Sequence, residues 1–444
     1  KTVTKMKVLK FGGTSVGSAQ RMKEVAKLIT DGEQKIVVLS AMSGTTNTLV
    51  EISDYLYKKN PEGANEIINK LEAKYKQHID ELFATQEYKQ KGLEVVKSHF
   101  DYIRSYTKDL FTLFEEKVVL AQGELISTAM VNFYLQECGV KSVLLPALEF
   151  MRTDKNAEPD PVYIKDKLRA QLDLYPDTEI YITQGFICRN AYGEIDNLQR
   201  GGSDYTASLI GAAVNASEIQ IWTDIDGMHN NDPRIVDKTA PVRQLHFEEA
   251  AELAYFGAKI LHPTCIQPAK YANIPVRLLN TMDPEAPGTL ISNDTEKGKI
   301  KAVAAKDNIT AIKIKSSRML LAHGFLRKVF EIFESYQTSI DMICTSEVGV
   351  SVTIDNTKHL NEILDDLKKY GTVTVDKEMC IICVVGDLEW ENVGFEAKAL
   401  DAMRDIPVRM ISFGGSNYNI SFLIRECDKK VALQSLSDML FNGK

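Results

Sequence analysis

Residues 8–18, VLKFGGTSVGS, end an apolar run in a lysine, a glycine pair and two hydroxyls, and a helical pattern follows. Gly12 and Gly13 let backbone N–H groups come close to an anion, a following helix turns its positive end to the same place, and Lys10 adds a full charge. With Thr14 and Ser15 beside them, these residues are equipped to hold phosphate. Neither GxxxxGK(S/T) nor GxGxxG occurs, so neither a Walker loop nor a dinucleotide loop is supported. Residues 198–214, LQRGGSDYTASLIGAAV, repeat the arrangement with Arg200, Gly201, Gly202, Ser203 and Asp204 ahead of a helix of small residues. Residues 221–234, IWTDIDGMHNNDPR, end a strand in Thr223-Asp224 and run through an acidic loop to Arg234. Calcium does not suit that loop, because an EF-hand needs glycine at its sixth position and Gly227 would be fourth. FGAKILHP, 256–263, supplies Lys259 after a helix stop at Gly257. Singly, each stretch reads as a tight turn, a capped helix or a solvated loop. Four of them at strand ends or helix entries point to a ligand, since open α/β sheets bind at the carboxyl ends of their strands.

Strands alternating with helices must carry those ends. Strands are predicted at 6–10, 35–40, 142–146, 178–183, 218–222 and 275–279, with a helix over 19–31 that has Ser18 as N-cap and Gly32 as stop. Met22, Val25, Ala26 and Ile29 give that helix its buried stripe. The alternation predicts a parallel sheet covered by helices. Residues 48–117 are long, charged and helical with no strand of their own, an excursion from the sheet. A polar, turn-prone stretch at 292–303 marks a domain boundary. Beyond it a pattern repeats at a spacing of about 70 residues. Strands ITAIKIKS (309–316) and CIICVVGD (380–387) each lead to a Gly-Phe helix start, Gly324-Phe325 and Gly394-Phe395, and then to a strand with Met-Ile, Met342-Ile343 and Met410-Ile411. Each copy reads β-α-β-β-α, and two such small units point to regulatory modules.

A net charge of −8 argues against nucleic-acid or anionic-membrane partners, which need a basic face. No run approaches 18 apolar residues and the first ten residues have no signal-peptide apolar core, so neither a transmembrane span nor a leader is expected. Seven scattered cysteines fit a reducing, cytoplasmic setting. Cys380 and Cys383 have CxxC spacing, but in a strand their thiols point to opposite faces, and no second pair completes a zinc site.

KFGGTS, QGELIS (122–127), RGGSDYTA (200–207), WTDIDG and FGAKILHP, in this order, resemble the aspartate kinases of the amino-acid kinase superfamily over essentially the whole chain. The resemblance implies a three-layer α/β/α amino-acid kinase fold with a mostly parallel sheet over residues 1–295. Two ferredoxin-like βαββαβ ACT domains would follow at 308–377 and 378–444. It implies transfer of the γ-phosphoryl group of ATP to the side-chain carboxylate of L-aspartate, the first step toward lysine, threonine and methionine. Length and the absence of GxGxxG set the chain apart from the form fused to homoserine dehydrogenase. A carboxylate acceptor with a pKa near 3.9 is already ionised and needs no general base, so the lack of an obvious catalytic histidine agrees.

By similarity Lys10 stabilises the transferring phosphoryl group, Lys259 supplies the second cation and Asp204 orients the lysines. Arg200 takes the α-carboxylate of aspartate and Glu124 its ammonium group, with Thr46, Gly201, Gly202 and Ser203 completing the pocket. ATP would meet Lys10, Gly12, Gly13, Thr14, Ser15, Thr223, Asp224, His229, Arg234, Lys259 and Ile260, His229 standing where several relatives have tyrosine. Mg2+ would enter on the ATP phosphates, with no protein ligand named. MLLAHGFL (319–326) and SIDMICTSE (339–347) are similar to the effector segments of lysine-sensitive members, with Met319, Phe325, Leu326, Ser339, Ile340, Asp341, Thr345, Ser346 and Glu347 as candidates. Ala322 replaces a hydroxyl found in a relative. Asp341 and Glu347 would meet the ammonium groups of L-lysine. Because such sites form between ACT domains of two subunits, a homodimer or a dimer of dimers is expected. The competing readings are another small carboxylate kinase, such as a glutamate kinase, and a catalytically silent amino-acid sensor. Arg200, Glu124 and the paired repeats favour aspartate over the first, and Lys10, Asp204 and Lys259 speak against the second.

Overall fold

Lys7–Phe11 and Lys35–Leu39 are short apolar runs buried along almost their whole length, as strands of a sheet covered on both faces must be. The computed structural model describes residues 5–199, 201–258, 261–316 and 323–442. The chain divides into two compact units, Lys1–Met228 with Leu261–Asn293, and His229–Ile260 with Asp294–Lys444.

In the first unit the strands neighbour one another in the order Thr289–Ser292, Val276–Asn280, Ile219–Thr223, Lys7–Phe11, Lys35–Leu39, Ile180–Gln184, Ser142–Leu145. All pairings are parallel except that of the first two. The six predicted strands are all present, displaced by no more than a residue or two. Side chains alternate along them. Leu9, Phe11, Val37 and Leu39 face one way, into a core shared with the helices Ala19–Ile29, Thr45–Tyr57, Pro61–Leu82, Gln86–Ser105 and Leu113–Glu137. Lys10 faces the other way, toward the helix Gly202–Val214. Ser18 caps Ala19–Ile29 as expected, accepting from the Arg21 N–H, and the predicted stripe is buried.

The segment 48–117 is therefore no appendage: its Ile68, Tyr75, Ile79, Phe100 and Ile103 belong to the same core as the sheet. Leu113–Glu137 is capped by a reciprocal Thr112–Glu115 box. By length and composition this helix could cross a membrane, but 83% of its apolar window is buried inside the chain. It is buried almost all round because it runs through the middle of the unit.

The second unit holds a six-stranded antiparallel sheet in the order Ile343–Thr345, Gly349–Ile354, Ile300–Lys315, Thr372–Gly386, Asn419–Arg425, Val408–Ser412. The repeat is visible in it: Gly324 and Gly394 take left-handed conformations at the starts of helices Phe325–Ser335 and Phe395–Ala402, whose first residues, Phe325 and Phe395, are buried. The two central strands begin at Ile300 and Thr372, earlier than the expected 309 and 380. Each runs through both modules, bending at the register shift where Asn308 and Glu378 have positive φ. Val303 accordingly packs with the second module's core and Ile312 with the first's. Residues 229–260, read above as part of the first domain, group by their contacts with this C-terminal unit. Within it, the Val303 N–H donates to the Asn230 carbonyl, and Asn231 Nδ2 donates to the Leu433 carbonyl.

Candidate active site

Lys10 Nζ lies 2.7 Å from Asp204 Oδ1, and the two side chains are only 11% and 17% exposed. Strand alternation aims the lysine at the helix face, and Asp204 in the first turn of Gly202–Val214 receives it. Gly12 leaves open space beside the ammonium, since a Cβ there would sit 3.5 Å from Nζ. Gly201 takes φ 73°, and a Cβ on it would collide with Cys265 Sγ, so the turn that delivers Gly202, Ser203 and Asp204 depends on glycine.

Beside this pair opens a cavity of about 290 Å³ lined by Gly13, the stretch 40–44, Thr46, Asn47, Glu124, Phe186, Gly202 and Ser203. Ser40 Oγ donates to Ser203 Oγ at 2.8 Å, tying the end of one strand to the start of the helix. Glu124, presented by Leu113–Glu137, is buried. Its Oε1 accepts from the Ala41 N–H at 3.3 Å, and Oε2 has no hydrogen-bond partner. Burial pushes its carboxyl up to about 8, against the opposing pull of the Ala41 N–H. A buried carboxylate with an unused oxygen at the wall of a cavity is built to receive a cation.

Ser15 Oγ donates to Thr281 Oγ1 at 3.5 Å, and the Thr281 hydroxyl and N–H both donate to the Thr223 carbonyl. Ser15 is buried, Thr14 and Asp224 are exposed, and the ring of Trp222 stacks on Phe11 at 5.6 Å. The first unit thus brings together Lys10, Gly13, Thr46, Glu124, Gly202, Ser203 and Asp204, with Ser15 and Thr223 linked through Thr281. His229 and Arg234 belong to the second unit, where His229 Nδ1 shares a hydrogen bond with Thr239 Oγ1 and Arg234 grips Asp232 through two N–H groups. Arg200, Lys259, Ile260 and Met319 lie outside the described residues.

The profile of the amino acid kinase family matches residues 5–280, and that of an ACT domain matches residues 382–440. Aspartokinase 1, chloroplastic, of Arabidopsis thaliana is 36% identical over 464 residues, covering 98% of this chain and 80% of that protein. The chain belongs to the aspartokinase family. Its structure is similar to that of E. coli aspartokinase III in complex with aspartate and ADP, at a TM-score of 0.83 and 32% identity over 98% of this chain and 100% of the other. The same enzyme in complex with lysine and aspartate gives a TM-score of 0.80 over 98% and 99%.

The effector candidates of this aspartokinase fall in its second unit. Phe325 is buried in the first module's core with Leu326 and Ile340 against it. Ser339, Thr345, Ser346 and Glu347 are exposed. Asp341 is the buried one. Its Oδ1 accepts from Lys306 Nζ at 2.7 Å and from the Tyr255 hydroxyl at 3.2 Å, while Oδ2 is unpartnered. Burial raises its carboxyl above the usual range in spite of Lys306.

Sequence reasoning passed over Ser40, Asn47, Phe186 and Thr281. LSAMSGTTN (39–47) carries the same signature as KFGGTS, hydroxyls and a glycine directly after a buried parallel strand, and would have found the first two. Phe186 has no such signal. It faces the cavity from a residue with φ 70°, which only the fold sets.

Proposed function

We propose that this aspartokinase uses the cavity beside Lys10 to hold L-aspartate while its side-chain carboxylate accepts the γ-phosphoryl group of ATP. A carboxylate oxygen bonds to the γ-phosphorus, the bond to the β–γ bridging oxygen breaks, and 4-phospho-L-aspartate and ADP result. The nucleophile is already an anion, so the difficulty is charge repulsion, and the ammonium of Lys10 offsets it as charge builds on the transferring group. Asp204 keeps that ammonium aimed. Glu124 takes the α-ammonium of the substrate on its unused oxygen, with Ser203 and Thr46 beside it, and Arg200 pairs with the α-carboxylate. Mg2+ enters with ATP. L-Lysine is the effector, at the segment around Asp341, and the subunits form a homodimer. The seven cysteines are all free thiols, in keeping with a reducing cytoplasm.

The observation that carries this reading is the buried, half-satisfied carboxylate of Glu124 in the same cavity wall as Ser203, one residue from the Lys10–Asp204 pair. ADP release assayed with L-aspartate and then L-glutamate tests it. Release with aspartate alone is the expected result; release with glutamate alone, or with neither, overturns it.

A further inference from the structure

The stretch 40–47 forms much of the cavity wall, and one of its residues does not face the cavity. Ser40, Ala41, Met42, Ser43, Gly44, Thr46 and Asn47 all line it, while Thr45 turns its side chain inward and is 1% exposed. Its hydroxyl shares a 2.7 Å hydrogen bond with the hydroxyl of Tyr75, which is 0% exposed. Tyr75 comes from Pro61–Leu82, a helix of the charged excursion that no motif explained, and its ring rests on Phe100 at 5.7 Å. The Thr45 methyl is equally placed: a Cβ on Gly123 would meet Thr45 Cγ2 at 3.2 Å and Ala41 Cβ at 2.9 Å. Gly123 precedes Glu124, whose Oε1 is held by the Ala41 N–H. Thr45 therefore sits at a joint. One branch of its side chain is bonded to the helical layer, and the other packs against the helix that presents Glu124.

We propose that Tyr75 is a positioning residue for the amino-acid pocket, fixing through Thr45 the turn 40–44 and the start of the helix Thr45–Tyr57, so that Glu124 and Thr46 meet the substrate at the correct spacing. The inference rests on the assignment of the cavity to L-aspartate. Physically the bond is directional and dry. With neither hydroxyl reaching water, each depends on the other, and the loop has one low-energy seat against the helices. The stretch is also anchored by Ser43 N–H to the Gly13 carbonyl and Thr45 N–H to the Met42 carbonyl, and to the helix Leu113–Glu137 by Ala41 N–H to Glu124 Oε1 and Ser127 Oγ to the Ser40 carbonyl. None of these reaches the helix Pro61–Leu82 that carries Tyr75. The 48–117 excursion thereby acquires a role in specificity through one tyrosine rather than through any residue that touches substrate.

Tyr75→Phe, Thr45→Val and the double variant test this in the full chain. Wild-type protein is assayed first, and failure to release ADP with L-aspartate would sink the pocket assignment rather than the tyrosine. With an active wild type, Tyr75→Phe should raise KM for L-aspartate about tenfold and leave KM for ATP unchanged, the size expected when a substrate-positioning group shifts by a fraction of an ångström. The single variants each strand a buried hydroxyl and should melt at lower temperature, while the double variant strands none and should recover much of the loss. Its KM for aspartate should nevertheless stay raised. An unchanged KM for aspartate in folded Tyr75→Phe overturns the proposal. So does a parallel change in both KM values, or a KM that returns to normal together with the melting temperature.

Discussion

Two lysine–aspartate pairs of the same length, 2.7 Å, lie in the two units of this chain and do opposite things with their charge. Lys10 has one carboxylate, Asp204, and stands among glycines at the edge of a cavity. Lys306 has two, Asp341 at 2.7 Å and Asp355 at 3.0 Å, and lies 4.6 Å over the ring of Tyr255. On the function proposed above, the first ammonium keeps charge to offer a phosphoryl group. The second is consumed within the protein, and any ligand cation that seeks Asp341 must compete with it or use the unpartnered Oδ2. An ion pair becomes a catalytic device when its surroundings leave one partner undersatisfied, and a structural or switchable contact when they do not.

The sharpest way to break this contrast is to delete the two lysines in turn. Lys10→Ala should lower kcat by about 10³-fold, the scale of losing one preorganised donor to the transition-state charge. Lys306→Met should leave a measurable turnover of the same order as wild type, because its charge is taken up by Asp341 and Asp355. Steady-state ADP release on the folded variants decides it. A fully active Lys10→Ala protein would remove Lys10 from the mechanism.

Glu124 extends the comparison to carboxylates. Unlike Asp341 it has no lysine partner, only the Ala41 N–H, and its carboxyl stands at about 8 against an ordinary value near 4.5. Below pH 8 the unliganded pocket therefore holds a protonated acid, whereas the proposed substrate ammonium would need the carboxylate. Binding of L-aspartate should expel a proton, so apparent affinity should strengthen as pH rises from 6 toward 8 and level off above it. Glu124→Gln should raise KM for aspartate about 100-fold and abolish that pH dependence, as expected for loss of one member of a buried charge pair. Calorimetry in buffers of different ionisation heat would detect the proton. The stability effect has the opposite sign. A raised carboxyl pKa costs the folded state progressively as pH climbs from about 4.5 to about 8, so ligand-free Glu124→Gln should gain on wild type in melting temperature across that window.

Much of this site was legible in the sequence because strand ends with glycines, hydroxyls and one fixed charge have few other uses. Lys10, Ser203 and Asp204 converge as the motifs implied, since parallel strands bring their carboxyl ends to one edge. The repeat in the second half was legible for a similar reason, each Gly-Phe helix start needing a left-handed glycine and a buried ring. What could not be read was long-range partnership. Tyr75 looks like any aromatic on a charged helix until Thr45 is found against it, and Lys306 carries no local sign of its two carboxylates. The continuous strands Ile300–Lys315 and Thr372–Gly386 were hidden for different reasons: the first begins inside the stretch read as a domain boundary, and the first half of the second, TVTVDKE, is polar.

Asp341→Asn sharpens the regulatory side. The substitution keeps shape and removes the charge, so if Asp341 meets an ammonium group of L-lysine, the concentration for half-inhibition should rise about tenfold, a partly exposed competitor's share of a buried pair. Lys306→Met should move it the other way, because the ligand no longer has an internal cation to displace. Titration of both variants with L-lysine and with L-threonine gives the answer. Inhibition by threonine alone would overturn the choice of effector, and identical lysine curves for both variants and wild type would remove Asp341 from the site.

A last test concerns the glycine that separates the two pairs in kind. Gly201 precedes the helix carrying Asp204, holds φ 73°, and has Cys265 Sγ where a side chain would go. Gly201→Ala incurs two separable costs. A left-handed alanine costs about 1–2 kcal/mol, and crowding the cysteine costs about 1–3 kcal/mol unless the helix start shifts. Adding Cys265→Ala removes only the second. If the double variant regains part of the lost melting temperature and recovers kcat, the sulfur contact was displacing Asp204 from Lys10. If stability returns and kcat does not, the φ angle itself aims the aspartate, and the catalytic pair owes its geometry to one backbone conformation that the Lys306 pair, seated between strand and loop, does without.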